Sequence, residues 1–382
     1  MLQRLSQDQI NTIELWYLVQ HSLASFYKLT QHYGSVTAAL EARYDWATLN
    51  LHPSHLKRVQ EFQHTNTQQL FQNILTSIEK HSDFIVCIND ADYPQQLLPY
   101  NDKPPILFGQ GDVTTLNQAQ IAIVGSRKPS PHGRQVSYDF AYYLSEKGFY
   151  INSGLALGID EAAHQGALQH QRTIAVMATG LDTTYPSQHQ ALRTQIVDQG
   201  GAVITEFLPF TQPLQHQFPR RNRIVSGLSL GVIVAEATLK SGSLITAKIA
   251  AEQGKHIFAI PVHIYSEYHQ GCHALIREGA TLVDHPEQVL EDLALATTWQ
   301  HQSVTTPKQQ QPAPQFTAAP ALELPQHLNP LLLALDWQGQ DLDQLCHALQ
   351  QDAATLTGQL IELELLGLVI QQSGLYLRCG AR

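Results

Sequence analysis

Ile121-Ala122-Ile123-Val124-Gly125-Ser126-Arg127 decides how the rest of this 382-residue chain is read. Four apolar residues halted by Gly-Ser make a short buried strand, and the Pro131 that follows opens a helix. The unit then repeats. Strand-like runs at 120–124, 149–152, 173–177, 202–205, 230–235, 256–260 and 281–283 alternate with helical patterns at 134–147, 159–170, 188–199, 243–253 and 272–278. Apolar strands alternating with helices predict a parallel sheet covered on both faces, an α/β core. An earlier run, Phe84–Ile88, is also strand-like and marks the core's beginning.

Working outward, residues 1 to about 80 read as short helices. Ile10, Ile13, Leu15, Leu18 and Val19 recur at helical spacing, as do Leu23, Phe26 and Leu29. Gly34-Ser35 interrupts the pattern, and Ser35 suits the N-cap of the next helix. On the other side, residues 301–325 are rich in Gln, Pro, Thr and Ala, a composition that buries too little surface to fold. Beyond this linker, Leu331–Leu335, Leu342–Leu349 and Leu356–Leu366 predict three helices. Gly367–Ile370 and Leu375–Leu377 predict a hairpin around Ser373-Gly374. Three helices and a hairpin are the winged-helix pattern. The expected division is 1–80, 81–300, a linker at 301–325, and 326–382.

No run approaches the ~18–20 apolar residues that span a bilayer, and the first residues lack a signal-peptide core. Four scattered cysteines read as reduced thiols, which predicts a cytoplasmic protein. The formal net charge is −10, but it is unevenly spread. Residues 1–120 hold 7 basic and 11 acidic side chains, residues 121–290 hold 13 of each, and residues 291–382 hold 3 and 9. A positive surface is therefore easiest to build in the middle segment.

Three motifs there suit an anion. Gly125-Ser126-Arg127 ends the first strand, where ligands of open parallel sheets sit, and a helix N-terminus follows. Ser153-Gly154-Leu-Ala-Leu-Gly158-Ile-Asp160 places glycines between a strand and a helix, with Asp160 read as an acceptor that ties the loop. Ser241-Gly242-Ser243 follows another strand, with Ser243 a candidate N-cap and the choice between capping and ligand contact open. Phe218-Pro-Arg220-Arg221-Asn222-Arg223 reads as a basic turn before the strand at 230. A charged turn is ordinarily solvated, but a ring among guanidinium groups suits single-stranded nucleic acid, where bases stack and phosphates pair. His263, His269, Cys272 and His273 crowd together at a spacing that fits no usual zinc pattern, so no metal is expected. The serines sit in glycine turns with no assignable base, so no nucleophilic catalytic set is expected.

Taken together, the ordered motifs resemble the family of DNA-processing protein DprA, also called Smf. They are Asp92-Tyr-Pro94 with Pro105–Gly109, Ala122–Arg127, Ser153–Asp160 with Ala163-His164, Gly180–Asp182 with Tyr185-Pro186, Phe218–Arg223, Glu236-Ala237, Ser241–Ala247 and Gly271-Cys272. The resemblance implies an extended Rossmann-like core, a SAM-like helical N-terminal domain and a C-terminal winged helix. It further implies binding of single-stranded DNA, a homodimer, no cofactor, and loading of the RecA recombinase onto incoming strands in natural transformation, with single-strand DNA-binding protein a further partner. Carried over by position, Ser126, Arg127, Arg220, Arg221, Asn222 and Arg223 would line the DNA pocket, with Gly154, Ser241, Gly242 and Ser243 supporting it. The chain departs from the family pattern at Val262, where glycine is usual, and at His273, where asparagine is usual.

Two other functions are weighed. A nucleotide-cleaving enzyme of related fold would carry a PGGxGTxxE signature, but the strand end here reads Glu236-Ala-Thr-Leu-Lys-Ser-Gly-Ser. A transcription regulator would read duplex DNA with the helix at 352–364. That segment has no Lys or Arg and carries Asp352, Glu362 and Glu364, which repel phosphates, so the winged helix is expected to meet protein or its own core instead.

Overall fold

The structure is a computed structural model that describes residues 5–263, 266–302, 325–335, 339–366, 368–372 and 374–378. Two compact units form, residues 1–129 with 133–296 and residues 130–132 with 297–382. The expected linker falls almost wholly outside the described residues, as do Gly367 and Ser373 of the expected hairpin.

The first unit opens with helices α1 (Gln7–Leu18), α2 (Leu23–Tyr33), α3 (Val36–Glu41), α4 (Pro53–Glu61) and α5 (Thr65–His81). Ser6 starts α1 with a capping box to Gln9. Ser35 starts α3, its side chain accepting from Ala38 N at 3.0 Å. The helices share one apolar core with the sheet: Ile13, Trp16, Phe26 and Ile78 pack in a cluster with Ile106, Phe108, Met177 and Val203.

The sheet follows as β1 (Phe84–Cys87), β2 (Ile106–Gly111), β3 (Gln120–Gly125), β4 (Tyr150–Ser153), β5 (Thr173–Val176), β6 (Ala202–Thr205), β7 (Gly231–Glu236), β8 (His256–Ala259) and β9 (Thr281–Leu282). Between β3 and the chain's departure from the sheet run α6 (Pro131–Glu146), α7 (Ile159–Leu168), α8 (Gln190–Asp198), α9 (Gln217–Leu228), α10 (Gly242–Glu252), α11 (Gln270–Arg277) and α12 (Pro286–Gln302). The strand order is β1-β2-β6-β5-β4-β3-β7-β8-β9, parallel from β6 to β9 and antiparallel at β1 and β2. Alternation along the strands feeds two cores. Ala122, Val124, Val232 and Val234 join α9 and α10 on one face, and Ile121, Ile123, Ile233 and Ala235 join α6 and α7 on the other.

Strand β2 and helices α9 and α12 went unread in the sequence. Strand β2 carries Gly109 and Gly111, which break its apolar run, and a side chain at Gly109 would collide with the Phe84 ring of β1. Helix α9 replaces the expected basic turn at 218–223. Pro219 sits in its first turn, where proline is tolerated, and Arg221, Ile224, Val225 and Leu228 bury one face at helical spacing.

The second unit contains α13 (Asn329–Ala334), α14 (Leu342–Leu349), α15 (Ala353–Leu365) and a hairpin of β10 (Val369–Gln372) with β11 (Leu375–Arg378). Leu331, Leu345, Leu356, Leu360, Leu363 and Val369 make its own small core. This is the winged-helix arrangement of helices and hairpin.

Candidate nucleic-acid interface

The sheet has one switch point. From β3 the chain lays β4, β5 and β6 down on one side, then returns to place β7 on the other side of β3. The carboxyl ends of β3 and β7 diverge there, which is where open α/β sheets hold ligands. A cleft of about 300 Å³ lies at this point. Gly125 and Arg127 line it from the end of β3, Gly154 from the loop after β4, Asp160 from the first turn of α7, Phe218, Arg221 and Asn222 from α9, and Ser241, Gly242 and Ser243 from the start of α10.

Gly125 is dictated by closeness, since a Cβ there would lie 2.6 Å from Ile159 Cγ1 and 2.8 Å from the Glu236 carbonyl. Gly154 is dictated by Arg221, whose guanidinium occupies the space a side chain would fill. Arg221 is 5% exposed and donates to the carbonyls of Gly154 and Val176, the ends of β4 and β5. Its Nε donates to Asn222 Oδ1 at 3.2 Å. Burial lowers its pKa to about 10, with Asp160 opposing and Arg127 adding to the shift, so it stays cationic at neutral pH. Asp160 accepts from Gly154 N at 3.0 Å and Ala156 N at 3.3 Å, the loop-tying role read from sequence. Burial raises its pKa, against the pull of Arg221.

Arg127 is the exposed cation of the cleft. Its guanidinium stacks 4.8 Å from the Phe218 ring centroid, and Phe218 meets Tyr185 at 5.6 Å. Ser241 caps α10, its Oγ accepting from Ser243 N at 3.3 Å and lying 2.6 Å from Ser243 Oγ. The cap is thus Ser241 rather than Ser243, and the helix's first turn opens on the cleft. Hydroxyls, a helix N-terminus and two guanidinium groups converge on one anion-sized space.

Three of the residues named from sequence stand elsewhere. Ser126 is spent on the turn: its N–H donates to the Glu236 carbonyl at 2.8 Å and its Oγ accepts from Lys128 N at 3.1 Å. Arg220 and Arg223 face Glu206, at the end of β6. Arg220 grips both carboxylate oxygens at 2.9 Å, and Arg223 Nη2 donates to Oε2 at 2.5 Å. Burial raises the Glu206 pKa, but Arg223 and Arg220 outweigh it and hold the carboxyl below its ordinary value. Arg220 also lies 5.3 Å from the Trp16 and Phe207 rings, and Trp16 Nε1 donates to the Glu206 carbonyl at 2.8 Å. These two arginines fasten α9 to β6 and α1. On a helix Arg220 and Arg223, at i and i+3, share a face while Arg221 points about 100° away, so the three divide between two partners, which a turn need not impose. Glu206 and Tyr185 were not singled out from the residues alone. The signal for Glu206 was a carboxylate placed directly after an apolar strand.

Of the crowded residues near 270, Cys272 Sγ donates to the Val234 carbonyl at 3.4 Å, and His269 lies 3.9 Å from the buried Glu236. Among the described residues no group of three His, Cys, Asp or Glu side chains could hold a metal. The two departures from the family pattern meet: His273 Nε2 lies 2.9 Å from the Val262 carbonyl.

The chain thus joins an open α/β core, with a cleft lined by Arg127 and Arg221 at its switch point, to a winged helix. The model of the DNA recombination-mediator protein A family matches residues 84–294, and that of the DprA winged helix domain matches residues 312–374. The chain belongs to the DprA (Smf) family. It is 38% identical to Protein Smf of Escherichia coli K12 over 312 residues, covering 80% of each chain. It is 45% identical to DNA processing protein DprA of Streptococcus pneumoniae over 206 residues, 54% of this chain and 72% of that one. Among solved structures, DprA of S. pneumoniae aligns with a TM-score of 0.63 at 35% identity, over 75% of this chain and 98% of that one. DprA of Helicobacter pylori, described for its single-stranded DNA binding mode, aligns with a TM-score of 0.51 at 30% identity, over 56% and 98%. No helix among the described residues is long and apolar enough to cross a membrane.

Proposed function

We propose that the switch-point cleft binds the backbone of single-stranded DNA, and that the chain binds rather than catalyses. The observation that carries this reading is the exposed Arg127 guanidinium, stacked on Phe218 at the mouth of a cleft backed by the buried cation Arg221. A volume near 300 Å³ is at the lower end of small-ligand sites, suited to one backbone unit rather than a duplex. The H. pylori relative, described as binding single-stranded DNA, supports the same polymer. Ser241, Gly242 and Ser243 would receive phosphate oxygens, Asn222 and Gly154 would shape the space, and Arg220, Arg223 and Ser126 would hold the scaffold.

Arg127→Ala is expected to weaken binding of a dT oligonucleotide by roughly 10- to 100-fold, the value of one charge-assisted contact of ~1.5–3 kcal/mol. The slope of log affinity against log salt should fall by about 0.7. Wild-type affinity across the salt series would remove the cleft from DNA binding.

A second reading, a nucleotide-cleaving enzyme, is disfavoured by Glu236. Its fully buried carboxylate packs against Gly133 in the first turn of α6. The helix N-terminus after β3, which would receive a nucleotide's phosphate, meets the protein's own carboxylate instead.

The wider role we propose is that of a cytoplasmic homodimer that protects incoming strands in natural transformation and loads RecA onto them against single-strand DNA-binding protein. With RecA and strands precoated by single-strand DNA-binding protein, addition of this chain is expected to speed strand exchange several-fold. An unchanged rate with intact DNA binding would reject loading and leave the cleft assignment standing.

A further inference from the structure

Helix α15 has two apolar faces where a surface helix needs one. Leu356, Leu360 and Leu363 are buried in the core of the winged-helix unit. On the opposite side, Ala354, Gly358, Ile361 and Leu365 follow one another at i, i+4, i+7 and i+11, all exposed, with Ile361 at 52% and Leu365 at 83%. At ~100° per residue these four fall within an arc of about 60°, a straight ridge of ~16 Å. Gly358 stands mid-helix on this ridge with no atom within 4 Å of where its Cβ would be. Nothing in its own unit requires a glycine there, and it costs the helix ~1 kcal/mol relative to alanine. What it offers is a shallow point where another backbone can come close.

The charges beside the ridge select the occupant. Glu362 and Glu364 stand about 80° to either side of its midline at ~100° per residue, and α15 carries no Lys or Arg. Glu362 meets His327 at 2.8 Å, yet both carboxylates remain exposed to a neighbour. A second copy of α15 laid on the ridge would bring carboxylates against carboxylates, and a duplex would bring phosphates against them. The match is a helix whose apolar seam is flanked by lysines or arginines, the pairing that e and g positions use in coiled coils.

We propose that the outer face of α15 is a docking site for a basic amphipathic helix of a partner protein. The test uses the full chain and two labelled synthetic helical peptides long enough to cover the ridge. One carries a leucine seam flanked by lysines, the other glutamates in place of the lysines. Fluorescence anisotropy is expected to show the lysine peptide bound about ten-fold or more tighter than the glutamate peptide. Ile361→Ser with Leu365→Ser should weaken it by about ten-fold or more, and Glu362→Lys with Glu364→Lys should reverse the preference, with single-stranded DNA affinity unchanged in both. Equal binding of the lysine peptide by wild type and the serine variant would overturn the proposal, since attraction would then be to the net charge of −10. So would failure of the lysine peptide to bind, or self-association or duplex binding that the serine variant abolishes.

Discussion

Glu206→Ala is expected to destabilise the first unit by about 3–5 kcal/mol, the usual consequence of removing one partner from a buried ion pair. The carboxylate is fully buried and answers two guanidinium groups, of which Arg223 is 7% exposed and Arg220 23% at the side chain. Among the described residues, truncation leaves Arg220 with only the Trp16 and Phe207 rings and Arg223 with only Asp102, 4.0 Å from its Nε, so most of the charge compensation is lost. A shift of roughly 6–20 °C in Tm follows for a unit of this size. Glu206→Gln keeps the shape and one acceptor, so it should fall between the two. Replacing Glu206, Arg220 and Arg223 together by leucine or methionine should recover most of the loss, because an all-apolar cluster of similar volume is often as stable as a buried ion pair. An alanine variant within 1 kcal/mol of wild type by urea unfolding would show that the cluster carries no such burden. DNA affinity should follow indirectly, since α9 also presents Phe218, Arg221 and Asn222 to the cleft. The sign with pH is fixed by the depressed carboxyl: the contribution is complete above about 4.5 and lost as pH falls through the lower folded value.

That cluster marks where reading the sequence stopped short. The alternation of apolar strands and helices gave the parallel sheet, because strands buried on both faces are largely apolar, as β3, β5, β6 and β7 are. The meeting of Gly125, Gly154 and Ser241–Ser243 was legible too. Each follows a strand, and parallel strands end on the same edge. Helix α9 was hidden because three arginines, an asparagine and a proline in its first two turns outweigh its short apolar face in any periodicity count. Once it is helical, its arginines cannot share one ligand: Arg221 enters the cleft, while Arg220 and Arg223 turn to β6. Their partner, Glu206, lies 14 residues upstream of Arg220, and only the packing of α9 on the end of β6 brings the two together. Charge composition showed where a positive surface could form. It could not show that Arg220 and Arg223 would be neutralised inside by Glu206.

The second large effect is acid lability that begins well above the carboxylate range. His164 is fully buried on the inner face of α7, and its Nδ1 lies 2.7 Å from Thr173 Oγ1. The Thr173 hydroxyl donates to the Ile151 carbonyl at 2.8 Å, so it accepts from His164 and fixes the proton on Nδ1. Nε2 is left buried without a hydrogen-bond partner. Burial first, then His189 and Arg221, push the His164 pKa down to about 3. His21, packed edge-on to Phe207 at 5.7 Å and near Arg220, is also pushed to about 3 by burial first. The folded value lies below the unfolded 6.5, so below pH 6.5 the unfolded chain takes up protons that the folded chain refuses. Stability is therefore complete above pH 6.5 and drains as pH falls toward 3, at ~1.4 kcal/mol per pH unit for each histidine. Between pH 7.5 and 5 the first unit should lose about 2–4 kcal/mol, before Glu206 begins to titrate. Urea unfolding followed through the buried Trp16 and Trp46 is the measurement. His164→Gln, which can still donate to Thr173, should flatten the profile by about 2 kcal/mol over that range whatever it does to stability at pH 7.5. A wild-type profile that is level from pH 7.5 to 5 would mean that these imidazoles are hydrated or already paired, and the packing of α7 on β4 and β5 would have to be reconsidered.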